Sequence, residues 1–549
     1  MLTRVFTMAE RVGATALSFL ASAILAAYAG DRVGLTIHPF AILTIAMAGA
    51  AIAFRSLGPR DDDGRAELIA FVGIAGAVFA SLLWLARPRF LPPGSGSDLT
   101  HHLLLIDYIE RTGRLVHDAA LGAYLGEMMD YTAGFHLLAV LVGAWFWTDG
   151  LHALYTVVAV TVALKAGLVF VIARRLLPRK GAAIPVACVA ALLLFLPWQY
   201  FVGSFTHSSF LAQVVSETFA VGMWWAMVAW KDEPTTAAAA LFGLAGAATF
   251  LTWPVWVGAL VLSSAVVVAA RDGLSWRHRF THAAIAGVPI GVAAVMHSAG
   301  RVGAAAIAAA SGFVLRPTPA TVGWPFLLLA AFGTIVAATD RKTRIVPLLL
   351  LAIAAQAAAL FAVARAGHAD TPYLALKMFY LAIYPLAVAA AIGLGLVARH
   401  LSRATLSAWV VALGLAAIVG RGIVASPQPR PVISDSLRDA GRWARSHVPP
   451  GCVDYLVDDD DTAYWLHLAV LGNPRADARA RDSDTFEPDK ALIRWVLPGG
   501  LPYAIAGDVD ALPKDIRTSV DVLARFGPAA VVKRRGAASC IDDDQRKGR

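Results

Sequence analysis

Apolar runs of about 20 residues, each long enough to cross a bilayer as a helix, recur along most of this chain. They lie near residues 12–30, 34–54, 66–86, 152–173, 182–199, 213–230, 236–252, 254–270, 282–298, 320–339, 345–365, 375–397 and 405–426. About thirteen spans are predicted. Short polar segments separate them, and several carry basic clusters: Arg55/Arg60/Arg65, Arg174/Arg175/Arg179/Lys180, Arg271/Arg277/Arg279, Arg341/Lys342/Arg344 and Arg399/Arg403. Loops rich in Lys and Arg stay on the cytoplasmic side, and one alternating path puts every cluster there. It starts with a cytoplasmic N-terminus, in keeping with Arg4 and Arg11, and leaves the C-terminal region outside. The first apolar run is long and is followed at once by a second span, so it reads as an anchor rather than a cleavable signal.

The run "GFHLLAVLVGAWFW" (134–147) does not fit that path, because a crossing here would invert every later cluster. It is also short, and a run of 10 to 14 apolar residues is more often interfacial or re-entrant. Residues 87–151 therefore read as one long external loop holding an amphipathic helix and an interfacial one.

Near residue 428 the pattern changes, after the linker "SPQPRP". "SDSLRDAGRWARSHV" has Leu437, Ala440, Trp443 and Ala444 at helical spacing behind a Ser-Asp start, while "CVDYLV" and "PAAVVKR" read as strands. The expected architecture is a polytopic α-helical membrane protein with a small soluble α/β domain at its C-terminus. Its parts are two N-terminal helices (1–65), a transmembrane core (66–427) with external loop 87–151, and an external domain (428–549). Cys452 and Cys540 both belong to that external domain, and an oxidising compartment would let them pair.

Composition agrees with this reading, at 58% hydrophobic and 15% charged residues and a mean hydropathy of +0.64. The net charge of +9 is spread over short blocks between spans rather than gathered in one domain, so it reports topology and not a nucleic-acid partner. A bacterial inner membrane is the natural setting, with membrane lipids as the surrounding partner.

Ionisable groups collect just after the third span, in "GSGSDLTHHLLLIDYIERTGRLVHD" (94–118). On a helix beginning near Asp98, His101 and His102 fall on the side of Asp98, and Leu99, Leu103 and Ile106 form a neighbouring apolar stripe. Such a helix would lie on the membrane with its polar edge toward water. A carboxylate beside imidazoles at a lipid boundary could take a proton from a hydroxyl nucleophile. The simpler reading is that Ser97 or Asp98 caps the helix and the histidines sit at headgroup level.

Further on, "GEMMDYTAGFHLLAVLVGAW" follows that early Asp with a Tyr-x-x-Gly-Phe-His approach to a short helix, and the next span closes in "ARRLLP". This layout resembles the GT-C superfamily of membrane glycosyltransferases, from about residue 66 to the C-terminus. Two spans precede the family-like core. Asp98-Leu99 stands where an Asp-Glu pair is common, and Tyr131-Thr132-Ala133 where Tyr-Pro-Pro is usual. The resemblance implies a sugar donor carried on polyprenyl phosphate, a cell-envelope glycan or lipid acceptor, and an inverting transfer with Asp98 as general base. Asp130, Glu110 and Glu127 are second candidates, each with solvated loop charge as the alternative.

A second external stretch, "WQYFVGSFTHSSFLAQVVSETF", offers Trp198, Tyr200, Phe201, His207, Gln213 and Glu217 for stacking and hydrogen bonding to a sugar. His136 and Tyr380 are further substrate-side candidates. Glu217 lies inside a span, where a carboxylate needs a partner or a wet cavity. It is expected either to line a site or to pair with a neighbouring helix. Lys377, just inside its own span, with His368 and Arg365 outside it, offers a cation for the donor's phosphate, or it snorkels. Lys165, deep in another span, is expected to be paired rather than catalytic. The acidic runs at 61–63, 458–461 and 542–544 lack the ligand spacing of a calcium loop and read as solvated. No cofactor is assigned, a divalent cation stays open, and no nucleotide-binding fingerprint occurs. Two other classes fit less closely: a lipid or polysaccharide transporter or flippase, for which no convincing internal repeat is seen and the polar groups cluster at the outer face rather than midway, and a non-catalytic envelope assembly protein.

Overall fold

The computed structural model describes residues 6–58, 64–87, 97–118, 121, 125–178, 182–298, 312, 314–399, 404–426, 431, 433–449, 452–471, 488–497 and 500–537. The chain divides into two compact units, one of residues 1–90 and 132–428, the other of residues 91–131 and 429–549. The expected loop 87–151 is thus shared between them.

In chain order the principal helices before the C-terminal region are α1 (Met8–Arg32), α2 (Pro39–Ser56), α3 (Arg65–Ala86), α4 (Ser97–Thr112), α5 (Gly134–Trp145), α6 (Gly150–Leu176), α7 (Ala183–Leu193), α8 (Leu211–Asp232), α9 (Thr236–Thr252), α10 (Val257–Ala269), α11 (Trp276–Ser298), α12 (Trp324–Thr339), α13 (Ile345–Ala366), α14 (Tyr373–Arg399) and α15 (Ala404–Ala425). All but α4 belong to the first unit. Among the described residues nine helices are long and apolar enough to cross a membrane: α1, α2, α3, α6, α8, α11, α13, α14 and α15. Four of the thirteen expected spans, now α7, α9, α10 and α12, are shorter apolar helices.

Burial sorts the helices into a centre and a rim. α8 is buried along its whole apolar window and α6 along nearly all of it, whereas α2, α3, α11, α13 and α15 are mostly open. The open faces carry large apolar side chains such as Ile45, Ile52, Ile69, Val295, Leu351 and Ile418. Exposed apolar surface on this scale suits hydrocarbon as the solvent. Where helices touch, small residues let backbones approach. On α12, a Cβ at Gly333 would stand 1.8 Å from the Ala389 carbonyl oxygen of α14, so the two helices cross at a distance only glycine permits.

One end of this unit gathers the basic clusters. Arg175 pairs with Glu10 at 2.5 Å and with Asp232 at 2.8 Å, and Arg174 pairs with Glu67 at 2.6 Å. Arg341 pairs with Asp272, Lys342 donates to the Leu177 carbonyl, and Lys231 donates to the carbonyls of Arg341 and Lys342. The starts of α1, α3 and α13 and the ends of α6, α8 and α10 therefore lie together. Thr7 and Glu10 close a capping box at the first of these starts.

The short helix α5 is not a surface segment. Residues Gly134 to Leu141 are buried, and only the aromatic end at Phe146 and Trp147 is open. Its entry is fixed by two bonds: the Thr132 hydroxyl donates to the Thr252 carbonyl at 2.8 Å, and the Ala133 N–H donates to the Tyr28 hydroxyl at 2.5 Å. Uniform hydrophobicity over 12 residues is what a buried helix needs, so the expectation of a helix lying along the interface is corrected.

The second unit joins α4 to the C-terminal region. There α16 (Asp435–His447), β1 (Val453–Leu456), α17 (Asp460–Leu471), α18 (Pro488–Val496), β2 (Tyr503–Ala506), β3 (Val520–Phe526) and β4 (Ala529–Arg534) form an α/β domain. The sheet order is β1-β2-β4-β3, with β1 and β2 parallel and the other pairs antiparallel. Trp495, Ala504, Ala506, Val520 and Val532 build its core. The helix and both strands expected from sequence form at their places, with Ser434 as N-cap accepting from the Leu437 N–H. Asp459 caps α17 by accepting from the N–H and hydroxyl of Thr462, which accounts for part of the acidic run there. Cys452 is disulfide-bonded; Cys540 lies outside the described residues.

α4 packs on α17 in this unit, and polar bonds tie it to the domain. His101 Nε2 lies 2.8 Å from the Tyr464 hydroxyl, Arg445 pairs with Asp107 at 2.9 Å, and Arg442 faces Glu110 at 3.8 Å. Leu99, Leu103, Leu104, Leu105, Ile106 and Ile109 are all buried. The apolar side of α4 is wider than the single stripe read from the sequence.

Candidate functional site

Three central helices of the first unit bring charged side chains together where none is exposed. Glu217, on the second turn of α8, accepts three hydrogen bonds. Lys165 Nζ of α6 donates to Oε2 at 2.6 Å, the Tyr384 hydroxyl of α14 donates to the same oxygen at 2.5 Å, and Gln213 Nε2, one turn earlier on α8, donates to Oε1 at 3.1 Å. Lys165 and Glu217 have no exposed side-chain surface. Lys165 also donates to the Val214 carbonyl at 3.3 Å and sits 5.5 Å and 5.2 Å from the ring centres of Phe201 and Tyr384. A desolvated ion pair persists only when its remaining hydrogen-bonding capacity is met, and here it is.

Gln213 carries the network to a second cation. Its Oε1 accepts from Lys377 Nζ at 2.7 Å, and its own carbonyl accepts from Trp256 Nε1 at 3.4 Å. Lys377 is 1% exposed. Rings surround its ammonium: Phe210 at 2.8 Å, Tyr373 at 4.9 Å, Tyr380 at 5.6 Å and Trp253 at 6.0 Å from the centroids. Aromatic faces stabilise a desolvated cation. Four residues into α14, Lys377 stands roughly 6 Å from the helix start. That start follows α13, whose own beginning is at the basic end, so the Lys377 cluster lies toward the opposite end of the unit.

The structure brings together five of the residues singled out from sequence: Lys165, Gln213, Glu217, Lys377 and Tyr380, with Lys165 paired as expected. Tyr380 is buried against Tyr200 at 5.0 Å and Phe210 at 5.9 Å. Tyr200 and Phe201, offered as sugar-stacking residues, are fully buried as well. Both pack in the core of the unit, as Tyr380 does. Burial raises the Tyr200 hydroxyl above the usual phenol range, and its 3.1 Å bond with Thr321 works in the opposite direction. His136 is buried on α5 beside Phe135, His207 is exposed and bonded to the Thr206 hydroxyl, and His368 is exposed in the α13–α14 turn at φ 57°.

The remaining candidates belong to the second unit. Asp98 occupies the first turn of α4, and its side chain lies outside the described residues, as does that of Glu127. His101 is engaged with Tyr464. His102 is 3% exposed, edge-on to Tyr131 at 5.4 Å. Asp130 is exposed in the turn before Tyr131, and Glu110 faces Arg442. Among the described residues one group of acids is close enough to hold a metal, Asp459, Asp460 and Asp461, and the capping bonds of Asp459 explain its shape.

Sequence reasoning missed Tyr384, Phe210, Trp253 and Trp256. A signal existed for the first: Tyr373, Lys377, Tyr380 and Tyr384 follow one another at intervals of four, three and four, a single face of α14.

No family model matches the chain, and no curated protein matches it. Among solved structures the chain is similar to ArnT from Cupriavidus metallidurans in the apo state, at 15% identity and a TM-score of 0.48 over 86% of this chain and 98% of that one. The same protein bound to undecaprenyl phosphate gives 16% identity and a TM-score of 0.46, over 88% and 100% of the two chains.

Proposed function

We propose that the protein is a membrane glycosyltransferase that moves a sugar from a polyprenyl-phosphate donor to a hydroxyl of a cell-envelope glycan or lipid. The observation that carries this reading is the buried ammonium of Lys377, held by an amide and ringed by aromatic side chains near one end of the helical unit. A lysine set among apolar groups suits an anion delivered from lipid, because the attraction between opposite charges is screened little there. Lys377 is assigned to the donor's phosphate, with His368 as an outer contact. Asp98 is assigned as the general base. In the transfer, Asp98 takes the proton of the acceptor hydroxyl, that oxygen forms its bond to the anomeric carbon, and the bond from that carbon to the phosphate oxygen breaks with inversion. The polyprenyl phosphate departs with the electron pair, and its growing negative charge is what a nearby cation stabilises. Asp130, His101, His102, His136 and His207 are assigned to the acceptor side.

The setting that goes with this reading is a bacterial inner membrane, with the basic end of the helical unit in the cytoplasm and residues 91–131 and 429–549 outside. The test is steady-state kinetics of Lys377→Met over a range of lipid-linked donor. A raised apparent KM for donor, with that for acceptor little changed, is expected. An unchanged donor KM in folded protein would reduce Lys377 to a structural member of the buried network, which its burial already separates from the snorkelling expected as the alternative.

A further inference from the structure

Gln213 stands between two charges of opposite sign, and its amide matches both. Its carbonyl oxygen faces the Lys377 ammonium at 2.7 Å and its NH2 group faces the Glu217 carboxylate at 3.1 Å. Turning the amide over would set nitrogen against ammonium and oxygen against carboxylate, two repulsive contacts in place of two attractive ones, so the charges fix its orientation. Glu217 is itself held by Lys165 and Tyr384, from two other helices.

We infer that Gln213 is a positioning residue that ties the Lys377 ammonium to the Lys165–Glu217 ion pair and thereby sets where a phosphate is received. The inference rests on the reading of Lys377 as the phosphate cation, and adds to it a reason for a neutral amide at 213. A carboxylate there would hold the lysine equally well and compete with the phosphate for it. The buried ion pair is then an anchor for the site rather than part of the chemistry.

Two variants test this beside Lys377→Met, each assayed in the full-length protein with a lipid-linked sugar donor. Gln213→Leu keeps similar bulk and removes the hydrogen bond from Lys377. A hydrogen bond to a charged group is lost, so the donor KM should rise about tenfold, while kcat falls far less and saturating donor recovers most of the rate. The exchange Gln213→Glu with Glu217→Gln keeps the hydrogen-bond pattern of the network but moves the negative charge one turn, away from Lys165 and next to Lys377. It loses stability at Lys165, whose counter-charge has moved, and in protein shown by its melting to be folded the donor KM should be raised about tenfold or more, which a purely structural role for Gln213 would not produce. If Lys377→Met raises the donor KM and the exchange variant behaves as wild type, the positioning role is wrong and the phosphate assignment stands. If Lys377→Met leaves the donor KM unchanged, both fall. Should Gln213→Leu fail to fold, the exchange variant decides alone.

Discussion

Replacing Lys165 by Met is the sharpest test of the buried network, because it removes one charge and nearly preserves volume. Both partners are fully desolvated, and breaking such a pair by deleting one member costs about 3–5 kcal/mol, since the other charge is left in a poor medium. Glu217 keeps two of its three donors, Tyr384 and Gln213, and bonds to a charged acceptor retain about 1.5–3 kcal/mol each. The loss should therefore fall at the lower end, about 3 kcal/mol, which lowers the folded-to-unfolded ratio by roughly a hundredfold. Changing Glu217→Gln in the same protein removes the orphan charge: the new amide oxygen accepts from Gln213 Nε2, and its NH2 donates to the Tyr384 hydroxyl, which can turn to accept. The double variant should come back to within about 1 kcal/mol of wild type. The assay is thermal and denaturant unfolding in one detergent, followed by tryptophan fluorescence. Trp224, Trp225 and Trp256 are buried in this unit and report on its opening. Wild-type stability in Lys165→Met, or a double variant weaker than the single one, would refute the reasoning that the pair is dry and mutually dependent.

Three other outcomes are expected. Asp98→Asn should abolish glycosyl transfer while leaving membrane insertion and melting unchanged, measured with a lipid-linked donor; wild-type turnover would remove Asp98 from the chemistry. Arg445→Asp should loosen α4 from the C-terminal domain by about 1 kcal/mol, the scale of a partly exposed pair, and speed proteolysis within 91–131. Adding Asp107→Arg should slow it again, and no recovery would mean that the pair does not hold the helix. Cysteines introduced at Asp118 and Asp508, both exposed, should react with an impermeant thiol reagent in intact cells. Labelling of folded protein only after lysis would reverse the proposed orientation.

Much of the helical unit was legible because lipid imposes length and uniform hydrophobicity on each span. α1, α3, α6, α8, α13, α14 and α15 begin and end within a few residues of their apolar runs. The basic clusters also foretold which helix ends meet, since Arg175, Arg341 and Lys231 are joined by ion pairs and carbonyl contacts. What could not be read was partnership across sequence. Glu217 announced itself as a costly carboxylate, but nothing local to α8 names Lys165 or Tyr384 as its partners. For the same reason α5 looked interfacial: its 12 apolar residues fit a membrane surface as well as a buried slot, and only the bonds from Thr132 and Ala133 to Thr252 and Tyr28 distinguish them. The α4 helix seemed to need a membrane for its leucines because α17, its neighbour in the structure, lies so far along the chain.

That separation sets an order of events during synthesis. α4 leaves the ribosome roughly 300 residues before α16 and α17, and domains fold largely as units as they are made. Until the last segment is translated, Leu103, Leu104, Ile106 and Ile109 have no domain to cover them, and Asp107 has no Arg445. A nascent helix with that composition suits a bilayer surface, which would shelter its leucines until the domain that covers them is made. Truncation anywhere after α15 would then leave an inserted bundle whose early loop never matures, and a quality-control protease would meet it there first.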